Sequence, residues 1–346
     1  MTEQPIWREA IGDGESDRFE ALGKMLAGAE KLDGRPLHRH ALGAFRGELV
    51  VGDAPAELRH GLFAREATYP AYVRFSSGAG RKQSDRVADV RAIAVKVVGV
   101  DGDKIIPGLE KAKTQDFLAI LSSTFGFKDP AAFVDIAIAA RKGVPSVIRA
   151  AMKHFGFFGA FGKLKVLQRA LDASPTSLAT RTFFTALPIR IGPHAGKVRF
   201  RPISPAPSTS IAGDEVLSTD IAARVKAAAI TYALEVQLFV DEARTPIEDP
   251  SIEWPEDVAP FREAARLIIP AQDARSTGGQ ALAAYVERLS FDPWHALAEH
   301  RPLGAIMRAR GVAYKHAVIA RAAVSELEVE APSYFAQGLA GGGGVG

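Results

Sequence analysis

The chain has 346 residues, of which 47% are hydrophobic and 24% are charged, and its formal net charge is +3. This composition is typical of a globular protein and argues against general disorder and against the concentrated basic surface that binds nucleic acid. Because the chain has no cysteine, it has no disulfide, zinc–thiolate site, iron–sulfur cluster or cysteine nucleophile. Residues 1–20 lack the pattern of a secretory signal, and no run of about 18 residues is entirely apolar, so we expect a cytoplasmic protein without a membrane-spanning helix.

The hydrophobic pattern predicts alternating blocks of helices and strands. The first is an amphipathic helix over 15–30, within an N-terminal helical arm of residues 1–30. Strands are predicted over 44–51, 72–77, 90–99, 115–121, 180–192, 197–203 and 230–241, the fifth and sixth of which form a hairpin. Helices are predicted over 129–172, with breaks at Gly143, Pro145 and Gly156, over 280–289 and over about 305–322. The segment FREAARLIIP (261–270) receives no assignment.

This order of elements favours an α+β domain built around an antiparallel sheet or barrel. No internal repeat and no linker rich in proline and serine divides the chain, so we expect one domain over residues 31–330. Residues 331–346 contain the segment AGGGGVG and are expected to be disordered, because glycine loses the most backbone entropy on ordering.

The last predicted helix carries Arg310, Tyr314 and Arg321 at positions i, i+4 and i+11, within roughly 40° of one another on one helix face. A tyrosine ordinarily has a pKa near ~10, and a guanidinium one turn away lowers that pKa and stabilises the phenolate. A phenolate is a known ligand of ferric haem, and a second arginine two turns further along would suit a haem propionate. The alternative is an exposed stripe on a solvated helix, which this motif alone does not exclude.

Two further clusters place polar side chains next to strands. His38 follows Arg35 by three residues and precedes a strand, where it suits a general base or a metal ligand, although no nearby group completes a metal site. The alternative is a surface pair with His40. Arg74 lies on a strand between aromatic residues, where burial is costly unless an anion pairs with it, and Ser76 on the same strand face is placed to bond a histidine. The alternative is an edge strand with a solvated arginine.

Together these segments resemble the haem-binding catalase superfamily. The matching pieces follow the family's order: Arg35-x-x-His38 with Gly-Ala-Phe at 43–45, Val-Arg-Phe-Ser at 73–76, Asp-Val-Arg-Ala-Ile-Ala-Val-Lys at 89–96, and Arg310-x-x-x-Tyr314 with Arg321. The segment FDPWHALAEHRPLG (291–304) is similar to the short, single-domain catalase-related proteins called mini-catalases. The resemblance covers about residues 30–322.

The resemblance implies an α+β fold with a catalase-like, eight-stranded antiparallel β-barrel, surrounding helices and haem b at the side of the barrel. In this scheme Tyr314 is the proximal iron ligand and Arg310 holds it as a phenolate. His38 is the distal catalytic histidine, and Ser76 orients it. The remaining assignments implied by the resemblance are propionate binding by Arg35, Arg74 and Arg321, and haem contacts by Leu121 and Phe125.

One position departs from the family pattern. Leu121 stands where catalases have a distal asparagine, and leucine cannot donate a hydrogen bond to bound peroxide; Ser122 or Ser123 would replace that donor only if the register slips. A lost neutral donor costs roughly 1–3 kcal/mol, or ten- to a hundredfold in rate. We therefore expect a haem peroxidase with weak catalase activity, acting on a hydroperoxide and a small organic reductant.

Two alternatives stay open. One is a lipid hydroperoxide isomerase or dehydratase, similar to allene oxide synthase. The apolar Leu121 and the block at 153–165, which is rich in aromatic and basic residues, favour this alternative. That block also suits peripheral contact with an anionic membrane, although helix faces buried against the barrel explain its phenylalanines better. The other is a non-catalytic haem-binding protein. Nucleic acid is not an expected partner, and the sequence is compatible with a homo-oligomer.

Overall fold

The computed structural model describes residues 19–20, 23–24, 34–141, 144–171, 177–203 and 213–320, and within them an antiparallel sheet of nine strands. The strands are β1 (His40–Val51), β2 (Ala67–Ser77), β3 (Arg91–Val98), β4 (Thr114–Ile120), β5 (Phe183–Phe184), β6 (Ile189–Ile191), β7 (His194–Pro202), β8 (Ile230–Leu238) and β9 (Phe261–Ile269). They pair in the order β5-β4-β3-β2-β1-β9-β8-β7-β6, and β5 also pairs with β7. Eight strands therefore close into a barrel, and β6 extends β7.

Alternation along the strands fills the inside of this barrel. In β1, Leu49 and Val51 are buried, whereas Glu48 and Val50, which alternate with them, are half-buried. Aromatic side chains from facing strands meet in the same core, as in the edge-to-face contact of Phe45 with Phe75, whose ring centroids lie 6.1 Å apart. The barrel interior is thus packed with side chains, as is typical of eight-stranded barrels.

Besides helical residues at 19–20 and 23–24 and four short 3-10 helices, five α-helices lie in the described part of the chain outside the barrel wall. They are α1 (Pro130–Arg141), α2 (Val144–Ala170), α3 (Val216–Ala227), α4 (Thr277–Arg288) and α5 (Ala305–Ala320). The expected break at Gly156 is confirmed, because this residue has a φ of 67° in the left-handed region and divides α2. Within the described residues, no helix is long and apolar enough to cross a membrane.

The predicted α+β class with an eight-stranded antiparallel barrel is confirmed, and three segments differ from the sequence prediction. The helix α3 lies where no element was predicted. The unassigned segment 261–270 contains β9, which closes the barrel between β1 and β8. The single strand predicted over 180–192 is divided into β5 and β6, and Ala186 between them has a positive φ of 58°. Most of the helix predicted over 15–30 and all of the tail at 331–346 lie outside the described residues.

Candidate functional site

His38 lies directly before β1, opposite the end of β2. Its ring Nδ1 is 3.1 Å from Ser76 Oγ, and its backbone N–H donates to the carbonyl of Gly78 at 2.9 Å. The φ of His38 is 53°, a left-handed conformation that costs a non-glycine residue roughly 1–2 kcal/mol. A register shift between Ala41 and Gly43 bends β1 just after this residue. The surrounding bonds therefore hold the histidine in a strained conformation, which is a common feature of functional residues.

The His38 ring is neutral at physiological pH. Burial, together with the positive charges of Arg74, Arg310 and Arg35, lowers its pKa from 6.5 to about 3. A neutral imidazole has one protonated and one unprotonated ring nitrogen. His38 can therefore accept a proton over a wide range of pH. Within the described residues, no group of three or more histidine, aspartate and glutamate side chains is arranged to hold a metal ion.

Arg35 and Arg74 meet around a carboxylate that the sequence analysis missed. Glu287, near the end of α4, accepts from Arg74 Nε at 3.0 Å and from Arg35 Nε at 3.1 Å. The side chain of Arg74 is only 3% exposed, and burial, with the charge of Arg35, lowers its pKa to about 10. A glutamate in the last turn of a helix is disfavoured by the helix dipole, and this could have indicated that Glu287 needs a cationic partner.

The predicted pairing of Arg310 with Tyr314 on one face of α5 is present in the structure. Arg310 Nη2 donates to Tyr314 Oη at 3.1 Å, and the guanidinium carbon lies 5.4 Å from the ring centroid. Tyr314 lies close enough to interact electrostatically with Arg35, and the positive charge of Arg310 lowers the pKa of His38. These two residues of α5 therefore share one electrostatic environment with the group at the start of β1. The remaining member of the predicted stripe, Arg321, lies outside the described residues.

Trp294 anchors α5 to the loop that precedes it. Its indole Nε1 donates to the carbonyl of Met307 at 2.9 Å. A Cβ on Gly311 would lie 2.8 Å from this same nitrogen, so only glycine allows the close approach. The first two turns of the helix that carries Tyr314 are thus fixed by one hydrogen bond and one close packing contact with Trp294.

Leu121 directly follows β4, and Phe125 lies in the next turn of chain. Both side chains are partly buried and pack against the main hydrophobic core. The hydroxyl of Ser122 donates to the carbonyl of Thr124 at 2.8 Å, and that of Ser123 donates to Glu253 at 2.7 Å. Both hydroxyl protons are therefore engaged by these acceptors, and the Leu121 side chain has no hydrogen-bond donor.

Comparison with known proteins identifies the fold. No protein-family model matches the chain, and no curated protein sequence matches it significantly. A fungal catalase superposes with a TM-score of 0.66 and 16% identity over 93% of this chain and 66% of its own. Catalase A from Saccharomyces cerevisiae superposes with a TM-score of 0.65 and 14% identity over 94% of this chain and 68% of its own. A bacterial catalase superposes with a TM-score of 0.60 and 15% identity over 94% of this chain and 63% of its own.

The chain therefore spans about two thirds of the length of these catalases. At 14–16% identity the likeness concerns the fold. The protein has a catalase-like fold, as the sequence predicted. Any inference about its activity depends on the side chains described above.

Proposed function

We propose that the protein binds haem b and reduces hydroperoxides, as a short catalase-related peroxidase with weak catalase activity. The observation that carries the proposal is the shared position of two pairs. The phenol of Tyr314 is bonded by Arg310, and the ring of His38 is bonded to Ser76, in one electrostatic environment at the side of a catalase-like barrel. A proximal phenolate and a distal histidine are the two side chains that such an enzyme requires.

The donor set fits haem. The Arg310 guanidinium donates to Tyr314 Oη, and a cationic donor of this kind suits a phenolate ligand of ferric iron. Arg74 is a buried cation and Arg35 a largely buried one, and Glu287 supplies one carboxylate between them, so the carboxylates of a ligand would be well matched here. In this proposal Tyr314 holds the iron, and Arg35 and Arg74 hold propionates, with Arg321 as the sequence predicts. The bound haem supplies the redox chemistry of O–O cleavage.

His38 moves the proton. In the proposed tautomer Nδ1 carries the ring proton and donates to Ser76 Oγ, so Nε2 accepts the proton of the hydroperoxide and returns it to the departing oxygen. The low pKa of this imidazole, about 3, keeps it unprotonated and ready to accept. Ser76 fixes the ring orientation, and burial limits competing protonation by water.

The distal side favours peroxidase over catalase chemistry. Leu121 offers no hydrogen bond, and Ser122 and Ser123 direct their hydroxyl protons to other acceptors. A small hydrogen peroxide molecule, which has no other anchor, therefore lacks roughly 1–3 kcal/mol of stabilisation from a hydrogen bond that would orient it. A small organic reductant is the proposed source of electrons after the first peroxide has reacted.

A second candidate is a lipid hydroperoxide isomerase. The apolar, partly buried Leu121 and Phe125 favour an organic substrate over hydrogen peroxide. In α2, however, Phe155 stacks on Phe127 with ring centroids 6.5 Å apart, which supports packing against the protein rather than against a membrane for this residue. The two candidates differ in one requirement, because an isomerase consumes its hydroperoxide without a reductant.

The test uses the protein reconstituted with haem. We expect Tyr314→Phe to shift the absorption bands and weaken haem retention, and His38→Ala to keep haem while losing peroxide turnover. His194→Ala, at the opposite end of the barrel, is the control and should behave like wild type. Unchanged turnover in His38→Ala refutes the role of His38, and a colourless reconstituted protein refutes haem binding.

Two substrates separate the activities. Oxygen evolution from hydrogen peroxide at the rate of a dedicated catalase contradicts the argument from Leu121. Anaerobic incubation with a fatty-acid hydroperoxide distinguishes the candidates, because consumption without an added reductant identifies an isomerase and a strict need for one identifies a peroxidase.

A further inference from the structure

Glu287 makes an unusually rich contact with the two arginines. Its Oε2 accepts from Nε and lies 2.9 Å from Nη2 of Arg74, while its Oε1 accepts from Nε of Arg35 at 3.1 Å. The arginine side chains are 3% and 11% exposed, whereas that of Glu287 is 40% exposed. The carboxylate thus lies at the more open side of a buried pair of cations.

The arginines have other anchors. Arg35 Nη2 donates to the carbonyls of Leu289 at 2.7 Å and of Glu287 at 3.3 Å. Arg74 Nη2 donates to the carbonyl of His38 at 2.9 Å. Because backbone carbonyls hold both guanidinium groups, their positions do not depend on the Glu287 carboxylate alone. The contribution specific to this carboxylate is its negative charge.

That charge changes what the arginine pair offers to a ligand. Two buried cations are costly without anionic partners, and Glu287 cancels one of their two charges. Within the described part of the chain, the bonds of both guanidinium groups use Nε and Nη2, and their Nη1 edges are open to a further acceptor. The three side chains of Arg35, Arg74 and Glu287 together carry one positive charge, and they carry two when Glu287 is replaced by glutamine.

We infer that Glu287 sets the affinity of the site for haem by partly neutralising the arginines that bind its propionates. This inference rests on the proposed function. By pairing with Arg35 and Arg74, Glu287 stabilises the two arginines in the haem-free protein, and the same pairing weakens their binding of propionates. Its removal should tighten the binding of a porphyrin that carries carboxylates and leave the binding of an esterified porphyrin unchanged.

The experiment is an absorption titration of haem-free protein at low salt. The probes are ferric protoporphyrin IX and its dimethyl ester, which lacks both carboxylates. We expect Glu287→Gln to bind the acid about tenfold more tightly than wild type, the size expected for one charge-assisted hydrogen bond, and the ester with unchanged affinity. Glu287→Asp keeps the charge and should not bind more tightly than wild type. Glu66→Gln, an exposed change eight residues before Arg74, is the control for net charge.

Each outcome decides the inference. Unchanged or weaker binding of the acid by Glu287→Gln overturns it, as does equal tightening with the ester. If Glu287→Gln does not fold alone, recovery of folded protein with the acid but not with the ester supports the inference, and recovery with neither refutes it. If wild type binds neither porphyrin, the proposed function fails and this inference fails with it.

Discussion

Replacing His38 by glutamine should make the haem-free protein less sensitive to acid. The pKa of His38 is lowered from 6.5 to about 3, chiefly by burial. Between these two values the unfolded chain binds a proton that the folded protein does not bind. Folding stability therefore falls as the pH is lowered from 6.5 towards 3, and the glutamine variant lacks this loss.

The magnitude follows from the size of the shift. At about pH 4.5, two units below the unfolded pKa, the penalty from this histidine is about 2.7 kcal/mol, since each unit is worth about 1.4 kcal/mol. His300, whose pKa burial lowers to about 4, adds a penalty of the same sign, but wild type and variant share it. The difference between the two proteins therefore isolates His38.

The assay is urea unfolding followed by tryptophan fluorescence, at neutral pH and at about pH 4.5. We expect the free energy of unfolding of wild type to drop by about 2 to 3 kcal/mol more than that of His38→Gln between these conditions. Equal drops in the two proteins would show that His38 titrates normally. In that case its role as an always-available proton acceptor would be wrong.

Two further predictions concern the support of α5. Asp116→Asn breaks a fully buried pair with Lys96, whose Nζ lies 2.9 Å from Asp116 Oδ1, and should lower the free energy of unfolding, measured in urea, by about 3–5 kcal/mol. Asp101→Asn, which breaks an exposed pair with Lys113, should change that free energy little, and equal effects of the two substitutions would contradict the burial argument. Gly311→Ala places a Cβ 2.8 Å from the Trp294 indole, so it should lower the free energy of unfolding by about 1–3 kcal/mol and weaken haem retention. A Cβ at Gly52 meets nothing within 4 Å, so Gly52→Ala is the control and should have neither effect. An unaffected Gly311→Ala protein would show that the indole can move away at no cost.

Local patterns were sufficient for most of the barrel and failed where pairing overrides propensity. The strands rich in β-branched and aromatic residues are present, because such side chains pack well on a half-buried pleated surface. In β9 the run Glu263, Ala264, Ala265 consists of helix formers. This segment is extended because it pairs with β1 on one side and β8 on the other, which no local pattern reveals.

The missed helix α3 is a different case, since its signal was present. Its buried residues include Val216, Leu217, Ile221 and Val225, a helical spacing that the sequence displays. The site divides in the same way. The pair Arg310 and Tyr314 follows from helix geometry alone, whereas the contact of Arg74 with Glu287 joins residues 213 positions apart.

The position of Tyr314 relative to His38 depends on a buried charge network as well as on α5 itself. The carboxylate of Asp116, on β4, accepts from the backbone N–H of Asp292 at 3.0 Å, and its own backbone N–H donates to the carbonyl of His295 at 2.8 Å. These bonds tie the loop that carries Trp294 to the barrel wall. Trp294 in turn bonds the first turns of α5 through Met307.

A chain of short, buried contacts thus runs from the barrel to the helix with the proposed iron ligand. The ion pair of Lys96 with Asp116 has fully buried side chains, so breaking it leaves an uncompensated charge that the loop cannot solvate without moving. A shift of the loop would move Trp294 and with it α5, because the helix packs directly against the indole at Gly311. Charges that look purely structural therefore set the geometry of the proposed site, and Asp116→Asn should weaken haem binding even under conditions where the protein stays folded.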